Sequence, residues 1–505
     1  MAIQQPSPSP RPTRADALLR AAAALAAAAV LVALAVAMDR RGPWYDEFYT
    51  QWVTRPALPL GQALVGHWLP DNHPPLFYAL TRFTAWLGGT IEQRRLVNLI
   101  VAAVALAGGA ALLREVRQPR AARAGLLALL LLAGQGAVLV YGAELRSYFL
   151  SLCAVALMVL AWATAWVEGA TGGRARRAVV WGATVVAFNV HIVTSLIAGC
   201  LASAFLLGGV LRRDWGFVRW MLGPVLAGGL VLVAITAVQA PMWEANTRAF
   251  WITPGFFFAR WTIQNTFTVV LTTCLPGVIA GLAGLGLAAL IALRRRERSP
   301  ELEAAAMLGM GVVAGLALMV AIHLAVRPFV VERYLAAFVP PIMTGLALGL
   351  GVLGTRLPGW GAAALYLGIA GSGLAGLVDS TRNAIAMPGW DQTARQVAAR
   401  LARCPDSPVH TDPRWNADVI ALPPADNRAV VPFAYATMAR RYGFRVEPPG
   451  SRRTSPRCPT LFWAEHATII HPSAAQVLVA ERRRGFPVTT LRQYWYGIGW
   501  IAEAR

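Results

Sequence analysis

Residues 17–50 read ALLRAAAALAAAAVLVALAVAMDRRGPWYDEFYT: an uncharged apolar run closed by Arg40 and Arg41, then an aromatic stretch holding two consecutive acids, Asp46 and Glu47. A bilayer's hydrocarbon layer takes roughly 20 apolar residues per helix, and the run 21–38 supplies them. Runs of the same kind recur along the chain, 304–326 among them. Composition agrees, with 56% of the 505 residues hydrophobic and only 14% charged. A soluble chain of this size would expose too much apolar surface, so the fold class is a polytopic α-helical membrane protein.

The formal charge of +21 would point to nucleic acid in a soluble protein. Here the basic residues, all arginine, sit mostly in short segments between apolar runs: Arg114, Arg117, Arg120 and Arg123; Arg174, Arg176 and Arg177; Arg212 and Arg213; Arg294, Arg295, Arg296 and Arg298. That is the positive-inside pattern of a bilayer protein, and it removes nucleic acid from the partners. The exclusive use of arginine reads as codon bias, so the count itself carries little about function.

Residues 1–16, rich in Pro, Ser and Gln at their start, read as a disordered cytoplasmic N-terminus. A helix over 17–38 then runs outward. No small-residue cleavage site follows it, so it reads as a retained helix and not as a cleaved signal. Spans over 96–113, 124–140 and 148–167 alternate in direction. The run 178–211 is too long for one span and folds into two, with a turn near Asn189 and His191 at the outer surface. Spans over 220–240, 268–293, 304–326, 335–353 and 360–378 bring the count to eleven. The membrane domain is then 17–378, with an outer loop 39–95, and residues 379–505 form a periplasmic domain.

In that tail long apolar runs vanish. Trp390, Ala394, Val397 and Leu401 share a helix face, and 408–410, 444–447, 460–463 and 487–491 read as strands, which makes a small α/β domain. Cys404 and Cys458 fall here, where an oxidising compartment permits a disulfide. Cys153, Cys200 and Cys274 fall in spans and read as packing residues.

With this topology the unusual polar residues collect on the outer side: Asp46, Glu47, Asp71, Asn72 and His73; Glu144 and Arg146; Asn189 and His191; Trp243, Glu244, Asn246 and Arg248; Arg327, Glu332 and Arg333. Ionisable groups at a bilayer edge are costly unless they face a wet cavity, so a one-sided collection marks a site. Each also has a plainer reading: a helix cap for Asp46 and Glu47, a structural ion pair for Glu144 and Arg146, a backbone cap for His191, a helix start for His73 and Pro74. In residues 73–87, Leu76, Leu80, Phe83 and Leu87 make an apolar stripe suited to an interfacial helix.

WYDEFYT after the first span, then DNHPPLFYALTRF, RRLVNLI, YGAELRSYFL and ERYLAAFVPP resemble the GT-C-fold glycosyltransferases. Within these the likeness is to the branch of protein O-mannosyltransferases, lipid A aminoarabinose transferase and rhizobial lipopolysaccharide galacturonosyltransferases. It runs over 44–341 in order and register. The resemblance implies an inverting transfer of a sugar from a polyprenyl-phosphate carrier to an envelope glycan, lipid or protein at the outer membrane face. Asp46 is then the base that takes the acceptor's proton, with Glu47 orienting acceptor, base or metal. Arg333, Arg146 and His191 meet the charge that grows on the departing phosphate. Glu144, His73, Tyr45 and Tyr148 line the cavity. Oxygen ligands from Asp46 and Glu144, joined by His73, would suit Mg²⁺ or Mn²⁺, although relatives exist that work without a metal. A transporter or flippase of lipid-linked sugars is the rival reading, and neither internal repeats nor midplane polar breaks in the spans favour it.

Overall fold

A computed structural model describes residues 13–71, 73–169, 172–246, 252–421, 426–465 and 472–505; side chains 243–246, 413, 418 and 419 are not described. Asn72, Arg248 and the side chains of Trp243, Glu244 and Asn246, all named above, lie outside it.

The first helix, α1 (Arg14–Arg40), starts three residues before the expected span because Thr13 caps it, its hydroxyl accepting from the Asp16 amide. The outer loop holds α2 (Tyr45–Val53), α3 (Leu60–Ala63) and α4 (Leu76–Phe83), and α5 (Ile91–Glu115) returns through the membrane. The stripe expected on α4 is only partly outward: Phe83 is 81% exposed, whereas Leu76, Leu80 and Leu87 are half-buried and Phe77, Tyr78 and Thr81 are the buried positions. The expected span 124–140 is two helices, α6 (Pro119–Ala133) and α7 (Gly136–Gly142), bent by 64° at the Gly134–Gln135 break. Helix α8 (Tyr148–Glu168) follows, and the long run beyond it divides as read, into α9 (Arg174–Asn189) and α10 (Ile192–Arg212) with His191 at the break.

Next come α11 (Trp215–Asn246), α12 (Phe256–Thr273), α13 (Leu275–Arg295), α14 (Pro300–Ala325), a 3₁₀ turn over Glu332–Phe338 leading into α15 (Val339–Gly354), and α16 (Gly359–Ala386). The expected span 268–293 begins later, at Leu275, because the helix breaks at Cys274 and Pro276 opens a new one. Among the described residues nine helices are long and apolar enough to span, or ten with the bent pair. The eleventh expected span, α9, is present but has only 16 residues. Helices α13 and α15 meet through glycine: a Cβ on Gly284 would lie 2.0 Å from the Gly349 carbonyl oxygen. Small residues let backbones approach closely where helix packing replaces a hydrophobic driving force.

The C-terminal unit holds α17 (Trp390–Arg403), β1 (Val409–Thr411), α18 (Ala417–Ala421), α19 (Asn427–Arg441), β2 (Thr460–Ala464), α20 (Ala474–Arg483), β3 (Leu491–Tyr496) and β4 (Gly499–Ala504). Its sheet has the order β1-β2-β4-β3, parallel between β1 and β2 and antiparallel elsewhere. Segment 444–447 is not a strand; only the Glu447 amide bonds the edge of β1, at Val409 O. Segment 487–491 merely leads into β3, and β4 escaped the sequence reading. Cys404 and Cys458 are bonded, Cα to Cα 5.8 Å, tying the end of α17 to the approach of β2.

This unit shares one core with the outer loop. Phe48, Val53, Trp68 and Phe77 from the loop pack with Trp390, Val430, Tyr435 and Trp463 from the tail. The Trp390 amide bonds Pro43 O at 2.9 Å, and a Cβ on Gly42 would collide with the Asp391 carboxylate. So the tail sits directly over the segment that carries Asp46.

Candidate active site

Helix α2 begins at the acidic pair, and its geometry separates the two carboxylates. Consecutive helical residues point about 100° apart. Glu47, third in the helix, reaches back to the Trp44 amide at 3.2 Å, the reciprocal half of an N-terminal cap. Its two oxygens also take the Arg95 fork at 2.7 and 2.6 Å and the Leu145 amide at 2.7 Å, and the pair is fully buried. Arg95 spends its remaining donors on the carbonyls of Met38, Arg41 and Gly42. The pair therefore locks the end of α1 to α2, α5 and the α7–α8 link.

Asp46 turns the other way. Its Oδ2 lies 3.4 Å from Arg333 Nη1 and 3.8 Å from Arg146 Nη2, and its side chain keeps 26% of its exposure. Arg146 also reaches Thr50 Oγ1 at 3.3 Å, and its Nε has no hydrogen-bond partner among the described residues. The Arg333 guanidinium stands over the rings of Trp44 at 5.2 Å and Tyr148 at 5.9 Å.

Two hollows open beside this cluster. One is lined by His73, Pro74, Phe77, Tyr78, Arg146, Ser147 and Val190. The other is lined by Tyr148, Ser151, His191, Thr194, Arg333, Tyr334 and two alanines. The rings of His73 and His191 lie 4.4 Å apart, one in each hollow. His191 Nδ1 accepts from the Val193 amide and so caps α10, the plainer of its two readings, while its Nε2 has no partner among the described residues. Burial first, then the nearby Arg146 and Arg333, hold the His73 imidazole below its ordinary value; His191 is pushed well below by burial and by His73. Both rings are therefore neutral. Gln239 Nε2 on α11 steadies the loop before His73, lying 3.0 Å from His73 O and 3.1 Å from Asp71 O.

Of the residues named from the sequence, Asp46, Arg146, Arg333, His73, His191 and Tyr148 gather here. Glu144 and Tyr45 do not face the hollows. Glu144 Oε1 takes Arg41 Nη2 at 2.6 Å, and burial raises its carboxyl against the pull of Arg41. Tyr45 donates to Asn427 Oδ1 at 2.7 Å, joining α2 to the tail. The ion read onto Asp46 and Glu144 meets an unsuitable donor set: two guanidiniums face the first carboxylate and one holds the second. Among the described residues no group of three or more His, Cys, Asp or Glu could hold a metal, whereas Mg²⁺ and Mn²⁺ ask for several oxygens.

Sequence reasoning passed over Arg41, Arg95, Asn98, Thr50 and Tyr334. A signal existed for two of them. RRLVNLI sets an arginine at the mouth of a span and an asparagine inside it, where they must find partners; Asn98 Nδ2 indeed lies 3.0 Å from Gly142 O and 2.5 Å from Glu144 O.

The crystal structure of ArnT from Cupriavidus metallidurans in the apo state matches with a TM-score of 0.54 over 95% of this chain and 97% of that one, at 14% identity. ArnT bound to undecaprenyl phosphate matches over the same shares with a TM-score of 0.52 and 15% identity. This chain has the GT-C fold. The soluble tail is part of the likeness, since the match runs nearly the full length of both chains. No family model and no curated protein matches the sequence. In this GT-C chain the Asp46 cluster lies where α2 leaves the first span, next to the α7–α8 link, the α9–α10 break and the 3₁₀ turn before α15.

Proposed function

We propose that this chain is an inverting glycosyltransferase that moves a sugar from a polyprenyl-phosphate carrier to a cell-envelope acceptor at the outer face of the cytoplasmic membrane. The observation that carries the reading is a single carboxylate, Asp46, left partly exposed between two guanidiniums beside two hollows. Sugar displacement needs both functions in one place: a base for the acceptor hydroxyl and cations for the leaving phosphate. The shared fold with ArnT, a protein solved with undecaprenyl phosphate bound, supports a lipid-phosphate donor.

In this reading Asp46 Oδ2 takes the proton as the acceptor oxygen attacks the anomeric carbon. The bond from that carbon to the phosphate oxygen breaks, and its electrons pass to the phosphate. Arg333 and Arg146 stabilise that charge through planar forks that match phosphate. Glu47 is a positioning residue: it fixes the turn from which Asp46 projects. The tail, packed over α2, keeps the loop in place.

The arginine-rich turns α5–α6, α8–α9, α10–α11 and α13–α14 lie at helix ends opposite those that reach the cluster, which supports an outward-facing cluster. The Cys404–Cys458 bond also suits an oxidising compartment outside the cytoplasm. Replacing Asp46 by Asn tests the function. In purified protein, transfer from polyprenyl-phosphate sugar should fall by about 10²–10⁴-fold. A flippase would keep its transport, and a wild-type transfer rate would remove Asp46 as the base.

A further inference from the structure

The arginines of the C-terminal unit divide into two sets. Arg395, Arg400 and Arg414 each meet a carboxylate, at 2.8, 2.6 and 2.6 Å. Arg403, Arg445, Arg452, Arg457 and Arg483 are exposed, and none has a carboxylate partner among the described residues. Of the acids closest to them in sequence, Glu447 holds Arg453 at 3.1 Å, Glu481 holds Arg484 at 2.7 Å, and Asp406 is a single exposed carboxylate. The undescribed stretches 422–425 and 466–471 contain no Asp or Glu, which leaves Asp418 on α18 as the one acid of this unit whose side chain is not described. Codon bias accounts for arginine in place of lysine, but not for five exposed guanidiniums set apart from the acids.

These arginines form a band around the open edge of the sheet. Strand β1 is that edge, and segment 444–457 wraps it. On one face of the sheet the Phe444 ring meets Trp463 at 5.6 Å. At the edge the Glu447 amide bonds Val409 O at 2.8 Å. On the opposite face, where His410 packs on Phe462 and Phe486, its Nε2 lies 2.8 Å from Arg453 O. Arg452 rests against the backbone of Gly485, two residues from Arg483: a Cβ there would come within 2.9 Å of Arg452 Nη1. The Cys404–Cys458 bond, Cα to Cα 5.8 Å, keeps the Cα atoms of Arg403 and Arg457 within about 13 Å of each other. The backbone that carries the band is thus fixed by strand edge, imidazole and disulfide.

Like charges held together repel, and an anionic partner relieves that repulsion. We infer that the band is a docking track for an acidic glycan, a sugar chain with repeated anionic groups that the guanidinium forks engage in turn. A glycan fits better than a bilayer because the band passes from one face of the sheet to the other. A flexible chain can follow that bend, whereas a plane meets one side of a domain at a time. The choice of a glycan over a nucleic acid uses the outward orientation proposed above; the band itself does not depend on the transferase reading.

The test uses the full chain in phosphatidylcholine nanodiscs, with fluorescent alginate oligomers as the acidic glycan and dextran oligomers of equal length as the neutral one. Alginate should bind with saturation and at least about tenfold more tightly than dextran. The joint replacement Arg403→Gln, Arg452→Gln and Arg457→Gln should weaken alginate binding at least about tenfold. Arg294→Gln, Arg295→Gln and Arg298→Gln remove the same charge from the α13–α14 turn and should leave it unchanged. Equal losses in the two triple variants would assign the binding to net charge and overturn the inference. So would wild-type protein that does not distinguish alginate from dextran, a result that needs no variant to fold. Protein that gathers on phosphatidylglycerol vesicles but ignores alginate would make the band a lipid contact and overturn the glycan assignment. None of these outcomes bears on Asp46→Asn, so the two readings fail separately.

Discussion

Asp46 and Glu47 are neighbours in sequence and opposites in structure. Glu47 is fully buried, with a bidentate arginine at 2.6–2.7 Å and two backbone amides. Asp46 is partly exposed, and its arginines stand at 3.4 and 3.8 Å, too far for strong charge-assisted bonds. The first has spent its bonding capacity on holding four segments together; the second has kept capacity for a ligand. Identical chemistry one residue apart is thus divided between construction and use. Saturation of hydrogen bonds, more than acidity or position in the chain, marks which is which. Glu144 is intermediate: one oxygen holds Arg41 and the other has no partner among the described residues, yet the residue is buried and lines neither of the two hollows.

This contrast can be attacked at both ends. The largest expected effect is on Asp46: Asn there should cost about 10²–10⁴-fold in transfer while leaving the thermal midpoint in detergent close to wild type. A large loss of stability would mean that Asp46 is also a structural residue and the contrast false. Next, Arg95→Ala leaves Glu47 buried and unpaired, which should destabilise the fold by about 3–5 kcal/mol; thermal unfolding followed by size-exclusion chromatography reads this. A stable, active Arg95→Ala protein would break the other half of the comparison.

A smaller effect is expected from Arg333→Lys. It keeps the charge but loses the fork, so kcat should drop about tenfold to a hundredfold with little change in folding. The finest probe is Thr50→Val. Thr50 donates to Asp46 O at 3.0 Å and meets Arg146 at 3.3 Å without touching a hollow, so its loss should shift kcat by only about threefold to tenfold through misplacement of Arg146. An effect as large as that of Asp46→Asn would show that Arg146, and not Arg333, dominates the leaving-group side.

Much of the architecture is legible in the sequence. Spans emerge because hydropathy sums along the chain and a bilayer needs a fixed length of it. The break at His191 followed from a run too long for one crossing. The misreadings have local causes. Helix α9 is short, and the Gly134–Gln135 break and the Cys274 break fall within runs whose mean hydropathy stays high, so a span-length reading passes over them. Strand β4 was missed because GWIAEA lacks a clean alternation, being almost wholly buried between β2 and β3.

The site divides in the same way. The sequence by itself determined that this is a multispan membrane protein, that acids, arginines and histidines gather at one set of helix ends, and that Asp46 and Glu47 follow the first span. Those facts depend on order and composition, which are written residue by residue. Only the tertiary structure decided that Asp46 lies between Arg146 and Arg333 while Glu47 closes on Arg95, that His73 pairs with His191 across 118 positions of the chain, and that Glu144 belongs to Arg41. Those outcomes depend on which helix faces meet, and a side chain's role as prop or tool is fixed by what lies opposite it in the packed molecule.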